Sequence, residues 1–168
     1  MHPTADKHHF LQLINDNMGI IVKICNAYCP DKAEREDLTQ EIIYQLWKSG
    51  HRFEPGKRFT TWMYRVALNV AIGFYRKKKR TPGLVTLEEQ DDIPATESDT
   101  DELEANILRL QTFISELKEL DRALMLLYLE SRPYLEIAEI LGITETNVAS
   151  KISRIKEKLK QKMLPFIP

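Results

Sequence analysis

The feature that most constrains this chain is an acidic segment at its middle, TPGLVTLEEQDDIPATESDTDE, at positions 81–102. It holds eight acids, no Lys or Arg and two prolines, and it has no amphipathic period. Such a segment repels itself and has little apolar surface to bury, so it predicts a flexible linker. We therefore expect two small domains, 1–80 and 103–168, rather than one large domain.

The composition outside this segment is that of a folded, helix-rich protein: the whole chain is 43% hydrophobic and 29% charged, with 6 Gly. No apolar run approaches the roughly 20 residues that a membrane span needs. The start, MHPTADKHHF, lacks the apolar core of a signal peptide. We expect a cytoplasmic protein without membrane insertion. Cys25 and Cys29 are expected to be buried core thiols, because no zinc-type Cys/His set accompanies them.

The first domain is predicted to be a helical bundle. A three- and four-residue apolar repeat predicts one amphipathic helix that runs to Tyr28, and Asp31 is the predicted N-cap of a second helix over 32–48. The third helix, FTTWMYRVALNVAIGFYRKKKR, covers 59–80 after a loop rich in Gly and Pro. The apolar repeat of the first helix consists of Phe10, Ile14, Met18, Ile21, Cys25 and Tyr28, and that of the second consists of Leu38, Ile42, Ile43 and Leu46.

The second helix also carries a polar stripe, formed by Glu34, Asp37, Gln40 and Glu41. Such a stripe is a solvated helix face, a catalytic site or a metal site. A helical di-metal site requires Glu-x-x-His pairs that project inward, and the chain has none. Its four His, at 2, 8, 9 and 51, lie near the terminus or in a loop. Because glycine-rich phosphate loops and hydrolase motifs are also absent from the sequence, we expect no catalytic residue, metal or cofactor.

The third helix combines aromatic residues at its start with five consecutive basic residues at its end. Taken singly, Trp62 and Tyr75 read as half-buried core rings and RKKKR reads as a solvated helix end, favoured by the helix dipole. Rings beside cations are also what unpaired nucleic-acid bases require, since rings stack on bases while cations follow phosphates. Both interpretations remain open on these residues alone.

The second domain contains a helix-turn-helix pattern. An amphipathic helix (Leu103, Ile107, Leu110, Ile114, Leu117) precedes an apolar helix for which Asp121 is the predicted cap. The segment YLEIAEILGITETNVASKISRIKEKLKQKM then predicts a short helix, a turn at Gly142, an N-cap at Thr144 and a longer helix. The outer face of the longer helix is small, polar and basic, which suits insertion into a major groove of duplex DNA.

Taken together, three segments in this order resemble the extracytoplasmic-function (ECF) sigma factors, the two-domain specificity subunits of bacterial RNA polymerase. They are REDLTQEIIYQLWK (35–48), the helix at 59–80 and YLEIAEILGITETNVASKISRIKEKLK (134–160). The resemblance covers nearly the whole chain. It implies an all-α fold and a non-enzymatic role: binding core polymerase, recognising two promoter elements and stabilising the melted strand.

The resemblance also implies roles for particular residues. Contacts to the clamp coiled coil of the polymerase's largest subunit would come from Asp37, Leu38, Gln40 and Glu41. Contacts to the minus-ten element and its melted non-template strand would come from Phe53, Phe59, Thr60, Trp62, Arg65, Asn69, Arg76, Lys77, Lys78, Lys79 and Arg80. Contacts to the minus-thirty-five duplex would come from Thr146, Asn147, Ser150, Lys151, Ser153 and Arg154.

Two further partners are implied, the flap of the second-largest polymerase subunit and an anti-sigma factor. The pattern departs from the family at the recognition helix, where Asn147 follows Thr146 and where Ala149 and Ser153 are small. Base readout is therefore expected to rest on few side chains. The alternative hypothesis is a stand-alone helix-turn-helix regulator that binds duplex DNA without polymerase. A helical carboxylate metalloenzyme is a more distant one.

Overall fold

The computed structural model describes residues 4–80 and 99–167, and every regular element in this part is helical. The all-α prediction is confirmed, whereas positions 81–98 of the predicted linker lie outside the described residues. None of the described helices is both long and apolar enough to cross a membrane. The α-helices are α1 Thr4–Asp16, α2 Met18–Tyr28, α3 Lys32–Ser49, α4 Phe59–Lys79, α5 Asp99–Ser115, α6 Glu119–Leu129, α7 Tyr134–Leu141 and α8 Glu145–Met163.

The first domain begins with two helices where one was predicted. The break lies at Asn17, whose backbone leaves the helical region (φ −114°, ψ 21°) while its side-chain amide donates to the Leu13 carbonyl at 2.8 Å. An Asn side chain competes in this way with the backbone for hydrogen bonds, and the periodicity of apolar residues does not report it. The single-helix prediction for this segment is therefore wrong.

The core of the first domain lies between α2, α3 and α4. Asp31 caps α3 as predicted, because its carboxylate accepts from the Glu34 backbone N–H at 3.3 Å. The buried face of α3 consists of Leu38, Ile42 and Leu46, each 0% exposed. Cys25 and Cys29 are buried, unpaired thiols, as expected.

The second domain packs α6, α7 and α8 together, with α5 against α8. Gly142 takes the left-handed conformation (φ 70°) that ends α7, and the Thr144 hydroxyl caps α8 by accepting from the Asn147 N–H at 3.1 Å. Both turn predictions are confirmed. The predicted cap at Asp121 is wrong: α6 begins at Glu119, which leaves Asp121 in its first turn, where a carboxylate is favoured by the helix dipole.

Helix α5 begins at Asp99, inside the segment predicted as linker. The acidic side chains of this segment predicted a self-repelling linker. In the first turn of a helix acidic side chains are stabilising, since the unsatisfied N–H groups there carry partial positive charge. The apolar face predicted for α5 is partly on the surface, because Leu103 is 62% exposed and Ile107 is 47% exposed.

The two domains contact each other through α4 with α7, α2 with α6, and α4 with α6. One residue of this contact is Arg122 of α6, which is 4% exposed. In the same contact Tyr28 donates its hydroxyl to the Glu119 carbonyl at 2.7 Å, and at the other end of α4 the Thr61 hydroxyl donates to the Glu136 carboxylate at 3.1 Å. The described parts of the chain therefore form one closed arrangement.

Candidate functional site

The polar stripe of α3 lies on the surface of the first domain. Asp37, Gln40 and Glu41 are exposed, and the Gln45 amide donates to the Glu41 carboxylate at 3.0 Å. Leu38 is a correction: its side chain is 0% exposed, because it packs into the core with Ile42 and Leu46. Its side chain is therefore not available to a partner.

The same surface of α3 continues into two aromatic residues that the sequence analysis did not single out. Tyr44 is 54% exposed and Trp47 is 42% exposed. They follow Gln40 and Glu41 at the three- and four-residue steps that place side chains on one helix face. That spacing, together with an aromatic residue at each position, is a signal that could have found them.

Rings at the start of α4 pack against one another. The centroids of Phe53, Phe59 and Trp62 are 5.5 to 5.7 Å apart, and Phe10 of α1 joins them, 5.9 Å from Phe59 and 5.8 Å from Trp62. All four residues are half-buried. We call these four residues the ring cluster. Phe10 was expected to lie on the apolar face of the first helix, and its position in the ring cluster depends on the tertiary fold.

The remaining predicted minus-ten residues lie along α4. Thr60 is half-buried beside the ring cluster, and Arg65 and Asn69 are exposed. Between Thr60 and Trp62, Thr61 makes the hydrogen bond to Glu136 of the second domain. Phe53 precedes α4 and the other predicted residues lie along α4 up to its C-cap Arg80, but part of that helix faces α7.

The basic run that ends α4, Arg76 to Arg80, is exposed throughout. Arg76 and Lys78 each have a carboxylate partner. The Arg76 Nε lies 2.8 Å from the Glu119 carboxylate of α6, and the Lys78 ammonium is paired with Glu34 of α3. The hydrogen bond from Arg76 holds the pKa of the Glu119 carboxyl below its usual range. The positive end of α4 is therefore connected by ion pairs to both domains.

Helix α8 presents its predicted reading face to solvent. Val148, Ile152 and Ile155 are buried at 0%, 1% and 5% exposure and hold the helix against its domain. Lys151 is half-buried. The residues left exposed are Thr146, Asn147, Ser150, Ser153 and Arg154.

A groove of about 740 Å³ runs beside α8, and Ser153 of the predicted reading face is among the residues that line it. Its floor is apolar, with Leu110 of α5, Met125 of α6 and Ile167 after the last helical turn. Lys156 and Lys160 lie on its rim, and the hydrogen bond that Lys156 donates to the Tyr128 hydroxyl raises the pKa of that lysine. The groove thus offers apolar surface beside positive charge.

No group of three or more His, Cys, Asp or Glu side chains in the described ranges 4–80 and 99–167 is arranged to hold a metal ion. The acidic stripe of α3 is accordingly a surface of separate carboxylates. The two thiols are poorly reactive: burial raises the pKa of Cys25, and it raises the pKa of Cys29 to about 11.

Comparison with known families gives two matches that correspond to the two domains. Residues 13–81 match sigma-70 region 2, and residues 107–159 match sigma-70 region 4. In solved structures the chain is similar in fold to CnrH in complex with the cytosolic domain of CnrY (19% identity, 92% of this chain and 86% of that chain, TM-score 0.65). It is also similar in fold to the sigma factor RpoE of Bartonella quintana in complex with the anti-sigma factor NepR (20% identity, 91% and 95%, TM-score 0.69).

Relatives of similar sequence cover nearly the whole chain. The chain is 32% identical to the ECF RNA polymerase sigma factor SigM of Bacillus subtilis, over 85% of this chain and 88% of that protein. It is 25% identical to SigW of the same organism, over 95% and 91%, and 25% identical to the sigma-E factor of Escherichia coli K12, over 97% and 91%. With both regions matched in order, the chain belongs to the ECF sigma factors, which direct bacterial RNA polymerase to promoters.

Proposed function

We propose that this sigma factor works through three separate surfaces. The stripe of α3 binds the clamp coiled coil of core polymerase. The ring cluster and the outward residues of α4 bind the melted minus-ten strand, and α8 reads the minus-thirty-five duplex. The observation that carries the proposal is that the predicted polar contacts of α3, and those of α8 except half-buried Lys151, are exposed, whereas the predicted rings of the minus-ten site are half-buried.

The docking role of α3 rests on charge and exposure. Asp37 and Glu41 are four residues apart, so both carboxylates lie on one face of the helix with Gln40 beside them. The buried Leu38 holds α3 to its core, and Tyr44 and Trp47 extend the polar face with apolar area. A surface of this kind suits a basic, amphipathic helical partner, because exposed aromatic residues are frequent anchors in protein interfaces.

The minus-ten role of α4 rests on the ring cluster and on the basic residues at the end of the helix. An unpaired base finds ring faces at the start of the helix, and Arg65 and Asn69 are exposed one and two turns further along. The basic run Arg76 to Arg80 provides phosphate contacts at the other end. Thr60 lies at the edge of the ring cluster, close to where a flipped base would enter.

The minus-thirty-five role of α8 rests on its small polar face. Side chains such as Asn147 and Ser150 are short enough for the helix backbone to come close to the base edges in a major groove. Arg154 carries the guanidinium best suited to a guanine edge, and half-buried Lys151 suits a phosphate. Thr146 and Ser153 border this face at its two ends.

Other partners and properties follow as part of the same proposal. The apolar groove beside α8 binds the polymerase flap, and a separate anti-sigma factor binds this protein, as NepR is bound to RpoE of Bartonella quintana. The chain acts in the cytoplasm, catalyses no reaction and needs no cofactor. Its working units are the domains 1–80 and 103–168, joined by the acidic segment 81–102, with α5 extending into that segment from Asp99.

The stand-alone regulator hypothesis is wrong, because the relatives that match nearly the whole chain, region 2 included, are polymerase sigma factors. A regulator that binds duplex DNA without polymerase accounts for the helix-turn-helix but leaves the match over residues 13–81 unexplained.

Charge reversal on the stripe tests the docking assignment. The double variant Asp37→Lys/Glu41→Lys is expected to lose binding to core polymerase in a pull-down while keeping the helical content of the wild type. Exposed carboxylates contribute little to folding, typically below about 1 kcal/mol each. The measurement is retention on immobilised core enzyme, with circular dichroism to verify folding.

The matched control changes the net charge equally elsewhere on the first domain. Asp16 and Glu54 are both exposed, and Asp16→Lys/Glu54→Lys adds the same charge away from the stripe. This variant is expected to bind core polymerase as the wild type does. Normal binding by the stripe variant, or equal loss in both, would show that the stripe is not the docking surface.

A further inference from the structure

A glycine at the end of α3 is in close contact with one ring of the ring cluster. Gly50 has a helical backbone (φ −56°, ψ −30°) that every residue type except proline adopts readily, so its conformation does not require glycine. The space around it does. A Cβ atom at Gly50 would lie 2.9 Å from Cζ of Phe10, 3.1 Å from Cε1 and 3.4 Å from Cε2. The tip of the Phe10 ring therefore packs directly on the bare backbone of Gly50.

The same ring contacts aromatic residues of two other helices. Centroid to centroid, the Phe10 ring of α1 lies 6.1 Å from Trp47 of α3, and 5.9 Å from Phe59 and 5.8 Å from Trp62 of α4. Its plane makes an angle of 87° with that of Phe59 and 62° with that of Trp62. Edge-to-face contacts of this kind are favoured between aromatic rings, because the positive edge of one ring meets the negative face of the other. Phe10 therefore influences how both α4 rings are oriented.

Orientation is what a stacking surface requires. A binding site has to hold its groups to within about 0.5 Å of the productive geometry, and packed neighbours are what lock their rotamers. The two α4 rings, Phe59 and Trp62, also contact Phe53 of the preceding loop, at 5.5 Å each. Phe10 differs from Phe53 in having its ring tip against a backbone segment. A backbone cannot rotate away as a side chain can, so Gly50 is a fixed stop for the Phe10 ring.

We infer that Phe10 is a positioning residue for the melted minus-ten strand and that Gly50 is the surface against which it is held. The Phe10 ring, stopped by the Gly50 backbone, keeps Phe59 and Trp62 in the orientation that stacks on an unpaired base. Phe10 itself makes no contact with DNA. This inference rests on the proposed minus-ten role of the ring cluster, and it adds α1 and the end of α3 to the elements that shape that site.

Alanine at Gly50 tests the fixed stop. The new methyl group displaces the tip of the Phe10 ring, while the helical backbone suits alanine well. Holoenzyme that contains Gly50→Ala is expected to bind a labelled promoter fragment, melted at the minus-ten element, about three- to tenfold more weakly than wild type, because a displaced α4 ring loses part of its stacking on the base. Fluorescence anisotropy measures the affinity, and retention on core polymerase verifies that the variant is folded and docked.

Gly19 offers a matched control in the same domain. It is an exposed residue in the first turn of α2. Beyond its chain neighbours and its own helix backbone, nothing in the described part of the chain lies within 4 Å of the position that its Cβ would take. Gly19→Ala adds the same methyl group and is expected to bind the melted fragment within about twofold of wild type, since it changes helix propensity alone. Equal losses in the two alanine variants would contradict the inference.

A second substitution removes the atoms that the methyl group displaces. Leucine at position 10 lacks Cε1, Cε2 and Cζ, the three ring atoms nearest to Gly50. Phe10→Leu alone is expected to weaken binding about twofold, because Phe53 still packs against the α4 rings. The double variant Gly50→Ala/Phe10→Leu is expected to bind as Phe10→Leu does, and therefore more tightly than Gly50→Ala. Independent defects would multiply instead, so a double variant weaker than either single variant would refute the contact as the cause.

A fluorescent base in the melted strand separates positioning from folding. Stacking on an aromatic ring quenches 2-aminopurine, and the quench at saturating holoenzyme does not depend on affinity. With this base at the unpaired minus-ten position, Gly50→Ala is expected to leave it brighter than wild type does, and the double variant is expected to return it to the level of Phe10→Leu. Wild-type quenching by Gly50→Ala would make Phe10 a core residue only. If Gly50→Ala does not bind core polymerase, Phe10→Leu provides the test, since it must also reduce the quench.

Trp62→Ala in the same assay distinguishes this inference from the proposed function. If Trp62→Ala binds and quenches as wild type does, the minus-ten role of the ring cluster fails, and the positioning role fails with it. If Trp62→Ala loses the quench while Gly50→Ala and Phe10→Leu keep it, the minus-ten role stands and Phe10 does not position the rings. Loss of the quench in Trp62→Ala, with a partial loss in the other two variants, is the expected result.

Discussion

We propose DNA contacts for both α4 and α8, and the two helices present their proposed contact residues differently. The proposed contact residues of α8 are mostly exposed side chains on a helix whose apolar face is buried. The proposed contact residues at the start of α4 are half-buried rings that pack against other rings. The two ends of α4 contact the second domain through Thr61 and Arg76. The base edges of a duplex are accessible in its groove to an exposed helix face, whereas an unpaired base binds by stacking on aromatic side chains.

This difference predicts how each helix responds to mutation. A side chain of α8 is expected to affect one base pair or one phosphate with little effect on folding. A ring of α4 is expected to affect strand opening and also the packing of its neighbours. Three experiments, from the largest expected effect to the smallest, test whether the division between the helices holds.

The largest effect is expected at Trp62. Base–aromatic stacking is worth about 1–3 kcal/mol per base, so Trp62→Ala should lower the open-complex population on linear promoter roughly ten- to a hundredfold. Permanganate footprinting of the minus-ten element measures the opening. On a template with a pre-melted bubble, recovery of activity would indicate that the ring helps to separate the strands, and a retained defect would indicate capture of the flipped base.

Phe10 provides the control for packing, since it contacts the same rings and no DNA contact is proposed for it. Phe10→Leu is expected to loosen the ring cluster and lower the melting temperature, with promoter opening much less affected than in Trp62→Ala. If a folded Trp62→Ala variant opens linear promoter as well as wild type, or if Phe10→Leu matches its defect, the ring cluster is a core and the contrast with α8 disappears.

An intermediate effect is expected at Arg154 on α8. If its guanidinium reads a base edge, Arg154→Ala should relax sequence preference at one position of the minus-thirty-five element, at a cost of about 1–3 kcal/mol against the preferred base. Competition binding of holoenzyme to promoters substituted at each position measures this. A uniform loss across all sequences would assign Arg154 to phosphate instead.

The smallest effect is expected at Lys151, which lies three residues before Arg154 and is half-buried. Lys151→Ala should weaken all promoter sequences alike and reduce the dependence of log affinity on log salt by about one unit, because one phosphate contact is lost. Titrations of the same promoters at several salt concentrations measure the slope. Identical behaviour of the Arg154 and Lys151 variants would remove the distinction between reading and positioning residues on this helix.

Much of the fold was predictable because its signals are local. The caps at Asp31 and Thr144 and the left-handed Gly142 each depend on a few consecutive residues, and the structure confirms all three. The apolar repeats predicted which faces of α3 and α8 are buried. The errors were local too: the Asn17 side chain interrupts a helix whose apolar period continues, and acids at the start of α5 favour helix where a linker was expected.

The candidate site was predictable in its residue types and much less in its environment. Resemblance grouped Phe53, Phe59 and Trp62, but the fourth ring, Phe10, comes from a helix some fifty positions away. Leu38 was assigned to docking because it lies within the matching segment, and the packing of α3 instead buries it. A linear pattern indicates which residues share a face, but the surrounding helices decide whether that face is covered.

By itself the sequence determined that this protein is helical, that an acidic segment separates two domains, and that the second domain carries a helix-turn-helix, because propensity, capping and periodicity act over a few residues. The closed arrangement was decided by tertiary structure. In the sequence Arg122 is a single basic residue in an apolar helix, and Ala27, whose carbonyl accepts its hydrogen bond, lies 95 residues earlier. Burying a guanidinium requires rings and carbonyls to converge on it from both domains, and only folding brings them together.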